Sequence, residues 1–94
     1  MPLDKRAIQR IEIDTVWNRI DETTMLIATR DDHEIILRLN ATAAFLWELC
    51  AEKTTIDALT ASLCANYDIE PAQARSDVAA FIEQMQRNQL MAVK

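Results

Sequence analysis

Apolar and polar residues alternate with a period of two from Thr15 to Leu39. Three β-rich runs lie in this stretch, separated by the polar segments Asp21-Glu22 and Asp31-Asp32-His33. The runs contain Val16, Trp17 and Ile20, then Met25, Leu26 and Ile27, then Ile35, Ile36, Leu37 and Leu39. This periodicity with short polar separators predicts an antiparallel meander of three strands.

Helical periodicity replaces the alternation at Asn40, a residue type that often caps a helix N-terminus. The first predicted helix runs from Ala41 to Cys50 and is apolar on most sides, so we expect it to lie centrally. Thr54 followed by Asp57 resembles a capping box, and it predicts a second, amphipathic helix that ends near Tyr67.

A third helix is predicted to begin at Pro71, because proline suits the first helical position. Asn88 is its predicted end, since asparagine tolerates a left-handed cap and the chain contains no glycine. Turns elsewhere must then be made by Asp, Asn, Glu and Lys. The apolar stripe of this helix is Ala74, Val78, Phe81, Ile82 and Met85.

The predicted order is therefore β-β-β-α-α-α, an α+β fold in a single domain over residues 1–94. Leu90, Met91 and Val93 are expected to form a short extended piece after the last helix. Residues 1–13 stay open between a frayed or extended arm and a helical turn.

Composition and charge limit the kinds of partner that the protein is expected to bind. The chain has 94 residues and a formal net charge of -5, which disfavours a partner bound mainly through phosphates. No apolar run approaches the length that spans a bilayer, so we expect a cytoplasmic protein that does not bind membranes. Cys50 and Cys64 lie among apolar neighbours and are expected to be reduced, buried thiols.

The sequence offers little for catalysis. His33 is the single histidine, and it is expected to be an exposed hairpin residue. Cys50 and Cys64 are too far apart in sequence, without further ligands, for a typical zinc site. Without glycine there is no phosphate-binding loop. We therefore expect a protein that is not an enzyme and has no cofactor and no metal.

Three helices beside a small sheet are also typical of winged helix-turn-helix proteins. A recognition helix needs basic and amide side chains, but the second predicted helix has no Lys or Arg. The third has Arg75 and Arg87, offset by Asp77 and Glu83. A winged-helix-like shape remains expected, whereas nucleic acid is not an expected partner.

An open sheet edge is the remaining surface for binding. In the third strand, Ile35, Leu37 and Leu39 are expected to face the core, which leaves Ile36 and the stem of Arg38 on the other face. An unpaired edge can accept an extended peptide. The charged Glu34 and Arg38 fit equally well as residues that protect the edge from pairing.

Four segments resemble PqqD-like proteins. Leu39 to Cys50 is similar to the family's Leu-Asn-x-Thr-Ala-Ala-x-x-Trp-x-Leu stretch, and Thr55 to Leu59 to its Thr-Val-x-x-Leu helix start. Ser76 to Ile82 resembles x-Asp-Val-x-x-Phe-Leu, and Asn88 to Met91 resembles x-Gly-Leu-Leu with the glycine replaced by Gln89. The segments follow the family's order from about residue 35 to about residue 91.

The resemblance implies a peptide-recognition domain of ribosomal peptide modification pathways, such as that of pyrroloquinoline quinone (PQQ). Such a domain holds the leader of a precursor peptide as an added strand and presents it to a modifying enzyme, often a radical-SAM protein. By position, the peptide-binding residues would be Glu34, Ile35, Ile36, Leu37, Arg38, Leu39, Asp77, Val78, Phe81, Ile82 and Met85.

Alternatives remain open at this point. For Val78, Phe81 and Met85, plain core packing is the competing interpretation. A winged-helix scaffold or transcription-related protein is a second possible function, and a homodimer that pairs through the same strand edge is a third. The PQQ proteins usually have Cys-Asp-Gly after the first helix, where this chain has Cys50 to Lys53, so a related peptide pathway fits equally well.

Overall fold

A computed structural model of the chain describes residues 5–94, and it confirms the α+β prediction of a three-stranded antiparallel sheet followed by three helices. The predicted strands and helices all form. Their bounds are β1 Ile8–Arg10, β2 Thr15–Ile20, β3 Thr23–Arg30, β4 His33–Leu39, α1 Ala41–Leu49, α2 Ile56–Asn66, α3 Pro71–Arg87 and β5 Met91–Val93.

The three-stranded sheet has the order β2-β3-β4, and its two hairpins are tight. Arg30 pairs with His33, so Asp31 and Asp32 alone form the second turn, with φ of 52° and 65°. Two successive positive φ angles are those of a type I′ turn, which matches the twist of the strands. His33 therefore begins β4 instead of lying in the turn. Asp21 opens the first turn with φ of 58°.

A second, two-stranded sheet joins the two ends of the described chain. β1 pairs antiparallel with β5, and Ile8 is fully buried. Ile8 and Thr54 also exchange two backbone hydrogen bonds, of 2.7 and 2.8 Å. The sequence left the structure of residues 1–13 open, and within this segment Ile8–Arg10 forms an extended strand. Residues 1–4 lie outside the described residues.

Arg30 holds this second sheet against the first. Its guanidinium is nearly buried and donates hydrogen bonds to the carbonyl oxygens of Gln89 at 2.8 Å and Ile13 at 2.9 Å. It also donates to Oγ1 of Thr15 at 2.8 Å. A buried charge is tolerated when its donors are satisfied in this way. The side chain therefore links the N-terminal segment, the sheet and the end of α3.

The helix starts agree with the predicted caps, with one shift. The Asn40 side chain accepts a hydrogen bond from the backbone N–H of Ala43, as its prediction as N-cap requires. The second helix is capped by Thr55, whose Oγ1 accepts from the N–H of Ala58 at 3.1 Å, so the prediction of Thr54 was wrong. Thr54 is held by its backbone pairing with Ile8, and the helix begins after it.

The end of α3 also differs by one residue from the prediction. Asn88 is the C-cap but has φ of -93°, whereas Gln89 takes the left-handed conformation with φ of 59°. Leu90 donates its N–H to the carbonyl of Met85, and Gln89 donates to Gln86. These two bonds define a Schellman motif, in which the positive φ belongs to the residue after the cap.

The core lies between the inner face of the sheet and the three helices. Leu26 and Ala28 of β3 are at most 1% exposed and share one apolar cluster with Leu46 and Trp47 of α1. α3 packs mainly against α2 and contacts β5. This arrangement leaves the two edges of the three-stranded sheet, β2 and β4, at opposite sides of the domain.

Candidate functional site

The edge of β4 exposes backbone groups that can bind an extended chain. Within the described residues, β4 pairs with β3 and with no other strand. Thr29 donates its N–H to Asp14, so odd-numbered residues of β3 bond toward β2 and even-numbered ones toward β4. The groups that point away from the sheet consequently belong to Glu34, Ile36 and Arg38.

The side chains of β4 divide as the sequence predicted. Leu39 is buried, and Ile35 and Leu37 are half-buried on the inner face of the sheet. Glu34, Ile36 and Arg38 are exposed on the outer face, whereas His33, at the start of the strand, is exposed at the end of the inner-face row. The residues whose backbone is free are thus also the residues whose side chains face solvent.

A cavity of about 340 Å³ opens beside the C-terminal end of β4, between α1 and α3. We call it the α1–α3 notch. Two nearly buried apolar side chains, Leu46 and Phe81, contribute to its lining, and the small residues Ala43 and Ala80 leave it open. The complete lining is Asn40, Thr42, Ala43, Leu46, Asp77, Ala80, Phe81 and Gln84.

The resemblance assigned five residues of α3 to peptide binding, and the structure places them in two different environments. Asp77 and Phe81 line the notch. Val78, Ile82 and Met85 are at most 1% exposed, because this stripe faces the apolar cluster of the core. In this conformation their side chains have almost no exposed surface.

Sequence reasoning missed the exposed part of the notch. Ala80 and Gln84 follow Asp77 at i+3 and i+7, so they form a helical row beside the apolar stripe. Thr42 and Ala43 contribute from the first turn of α1. These residues could have been found from the helical row beside the buried stripe. The centre of such a stripe is covered by the core, so the residues at its flank border a groove.

The titratable residues that the structure describes form no cluster typical of a reactive centre. Among residues 5–94, no group of three or more His, Cys, Asp or Glu is placed to hold a metal ion. Both cysteines are free. Burial raises the pKa of the Cys50 thiol to about 12, although the nearby Arg10 acts in the opposite direction. A thiol that stays protonated at neutral pH is a poor nucleophile.

Comparison with known proteins identifies the family. The model of coenzyme PQQ synthesis protein D (PqqD) matches residues 27–91, which include β4 and all three helices. The chain belongs to the PqqD family. No curated protein sequence matches it. Among residues 5–94, no helix has both the length and the apolarity needed to cross a membrane.

A solved structure shares the fold. The chain is similar to "TbiB1 in Complex with the TbiA(beta) Leader Peptide", with a TM-score of 0.73 and 19% sequence identity. The match covers 88% of this chain and 94% of that chain. The two proteins therefore share nearly their whole architecture despite low sequence identity.

Proposed function

We propose that this chain is a non-catalytic, peptide-binding protein that captures the leader of a ribosomally made precursor peptide. The leader adds as a strand to β4, and the complex is presented to a separate modifying enzyme of the radical-SAM or a similar class. The free edge of β4 beside the α1–α3 notch is the observation that carries this proposal. Membership of the PqqD family and the leader-bound state of the TbiB1 structure support it.

The backbone of β4 supplies the first part of the binding energy. Glu34, Ile36 and Arg38 each direct one N–H and one C=O away from the sheet. Each hydrogen bond formed there contributes about 0.5–1.5 kcal/mol net. Since these groups are common to every sequence, they hold the leader in register but do not select it.

The α1–α3 notch supplies the selectivity. Alternate side chains of an added strand point to the inner face of the sheet. There, near the end of β4, the notch offers apolar surface from Phe81 and Leu46 below a rim of polar side chains. Burying one aliphatic side chain contributes about 1.5–3 kcal/mol. Association costs about 4–15 kcal/mol, so the backbone bonds need such an anchor to reach micromolar affinity.

The exposed charges of β4 can set the direction and register of the leader. Glu34 and Arg38 flank Ile36 on the same exposed face. Directly opposed charges on neighbouring strands stabilise or destabilise by up to about 1 kcal/mol. A leader with the complementary order of charges is favoured, and a second copy of this chain would compete for the same edge.

Calorimetric titration with a synthetic leader peptide, taken from a short precursor-peptide gene found near this gene, tests the proposal. Ile36→Pro removes an outward N–H without removing a bond to β3, so the sheet is retained while leader affinity falls at least about tenfold. Ile36→Ala is the matched control, because it keeps the N–H, and its affinity stays within about threefold of the native chain. Circular dichroism verifies that both variants fold.

Unchanged leader affinity in a folded Ile36→Pro variant would contradict strand addition at β4. The class of modifying enzyme is tested separately by co-purification with a radical-SAM protein encoded near the same precursor-peptide gene, with and without leader. We expect the complex to require the leader-binding edge. Association that is identical for the native chain and Ile36→Pro in the presence of leader would contradict presentation.

A further inference from the structure

Among residues 5–94, β2 pairs with β3 and with no other strand, so it forms a second open edge opposite to β4. The hydrogen bond from Thr29 to Asp14 fixes the alternation on this strand as well. The backbone groups of Thr15, Trp17 and Arg19 therefore point away from β3. Unlike the corresponding residues of β4, these three have side chains that face the helices.

A cleft of about 280 Å³ lies along this edge, between β2 and α1. We call it the β2–α1 cleft. Its aromatic wall consists of Trp17, Phe45 and Tyr67, all partly buried. Phe45 and Tyr67 meet edge to face at 5.5 Å between ring centroids. The other lining residues are Arg19, Glu22, Thr24, Ala41, Ala44 and Glu48.

Two carboxylates that form no ion pair with the described residues lie beside this aromatic wall. Glu22 lies in the turn between β2 and β3, Glu48 lies on α1, and both are exposed. Neither forms an ion pair with any residue of the described chain. Arg19 is the cation among the lining residues, but its Nε donates to the carbonyl of Asp21 at 2.9 Å.

We propose that the β2–α1 cleft binds a lysine or arginine side chain from an extended basic segment of a second protein, which adds as a strand to β2. Cations bind favourably over aromatic ring faces, and more so when carboxylates are close. Arg10 already occupies a face of Trp17 in this mode, with its guanidinium 4.4 Å from the ring centroid. Among the described residues, no cation lies over Phe45 or Tyr67, so these rings can receive the partner's cation.

The size and charge of the cleft favour this occupant. A volume of about 280 Å³ is at the lower limit for a small-molecule pocket, and it suits one long side chain. The formal net charge of -5 opposes the approach of a second copy of this chain and attracts a basic partner. Because β3 separates the two edges, the cleft can be occupied whether or not β4 holds a peptide.

The inference can be tested with a defined probe and ¹⁵N-labelled protein. The probe is a nine-residue peptide with blocked ends that alternates threonine and valine around one central lysine. Titration to millimolar concentration should shift the backbone amides of Thr15, Trp17 and Arg19. A matched peptide with norleucine instead of lysine should bind about fivefold more weakly.

Substitution of the carboxylates checks the charge dependence on the protein side. The double variant Glu22→Gln, Glu48→Gln should weaken the lysine peptide about fivefold and leave the norleucine peptide unchanged. Glu52→Gln is a control for net charge, because Glu52 is exposed outside the cleft, and it should change neither affinity.

Three results would overturn the inference. The first is the absence of shifts on β2 at millimolar lysine peptide, or shifts confined to β4. The second is that the lysine and norleucine peptides bind with equal affinity, or that the double variant binds the lysine peptide as tightly as the native chain does. The third is a concentration-dependent shift of the β2 amides without peptide, which would assign this edge to a second copy of the chain.

Discussion

The two edges of the sheet present the same backbone but different side chains. At β4, the residues with free backbone groups, Glu34, Ile36 and Arg38, have side chains on the outer face. The neighbouring notch combines apolar surface from Leu46 and Phe81 with alanine and polar side chains. At β2, Trp17 and Arg19 turn toward the helices, where the neighbouring cleft is aromatic and acidic.

An open edge therefore does not by itself define a ligand. Hydrogen bonds along either edge are open to any extended chain, whereas the pocket beside the edge selects the side chains. A leader with aliphatic anchors suits the α1–α3 notch. A basic segment suits the β2–α1 cleft, so one small domain can hold two different chains without competition.

Substitutions on the core side and on the notch side of α3 should differ strongly in their effect on unfolding free energy. Val78→Glu places a carboxylate at a fully buried position, which should cost about 4 kcal/mol of unfolding free energy, a large fraction of the stability typical of a small domain. Ala80→Glu introduces the same side chain at an exposed notch position and should retain the fold. Thermal unfolding measures both.

Ala80→Glu should then weaken leader binding about tenfold, because the carboxylate occupies the space for an apolar anchor. Ala72→Glu is a matched control on the same helix, since Ala72 is exposed and does not line the notch. A folded Val78→Glu variant with native stability would contradict the burial of this stripe. Equal leader affinity for Ala80→Glu and Ala72→Glu would contradict the notch as the anchor site.

An intermediate effect tests the independence of the two edges. Ala80→Glu should leave the affinity for the lysine peptide unchanged, and Glu22→Gln with Glu48→Gln should leave leader affinity unchanged. Additivity is expected for sites that share no contacts. Calorimetric titration of each variant with both peptides measures this, and a loss of both affinities in one variant would show that the edges are coupled.

Ionic strength should change the affinities of the two peptides only modestly. Raising sodium chloride from about 0.05 to about 0.5 M should weaken the lysine peptide about threefold, because exposed charges are screened. Leader binding through backbone bonds and an apolar anchor should change less than twofold, or about 0.4 kcal/mol. Equal salt dependence at the two edges would remove the electrostatic distinction between them.

The sheet, the helices and the side-chain faces of β4 were predictable, because local patterns encode them. Alternation fixed which residues of β4 face the core, and Asn40 and Pro71 marked helix starts. The resemblance also placed the family's glycine at Gln89, which is the residue with positive φ. Asn88 was expected there because asparagine tolerates the left-handed conformation. In a Schellman motif, however, the positive φ belongs to the residue after the cap.

Long-range features were not predictable from these patterns. β1 and β5 have three residues each, too few to show a period, and their pairing depends on Ile8 entering the core. A buried helix stripe and a groove wall have the same spacing, so Val78 could not be assigned to either. The β2–α1 cleft joins residues from β2, α1 and the end of α2, which only the folded chain brings together.

Amide hydrogen exchange with and without leader is the most direct test of strand addition to β4. In the free protein, the outward amides of Glu34, Ile36 and Arg38 should exchange rapidly, while those of Ile35 and Leu37, bonded to β3, are protected. Saturation with leader should slow exchange at the three outward amides and leave β2 unchanged. Leader binding without new protection at these three amides would contradict the account.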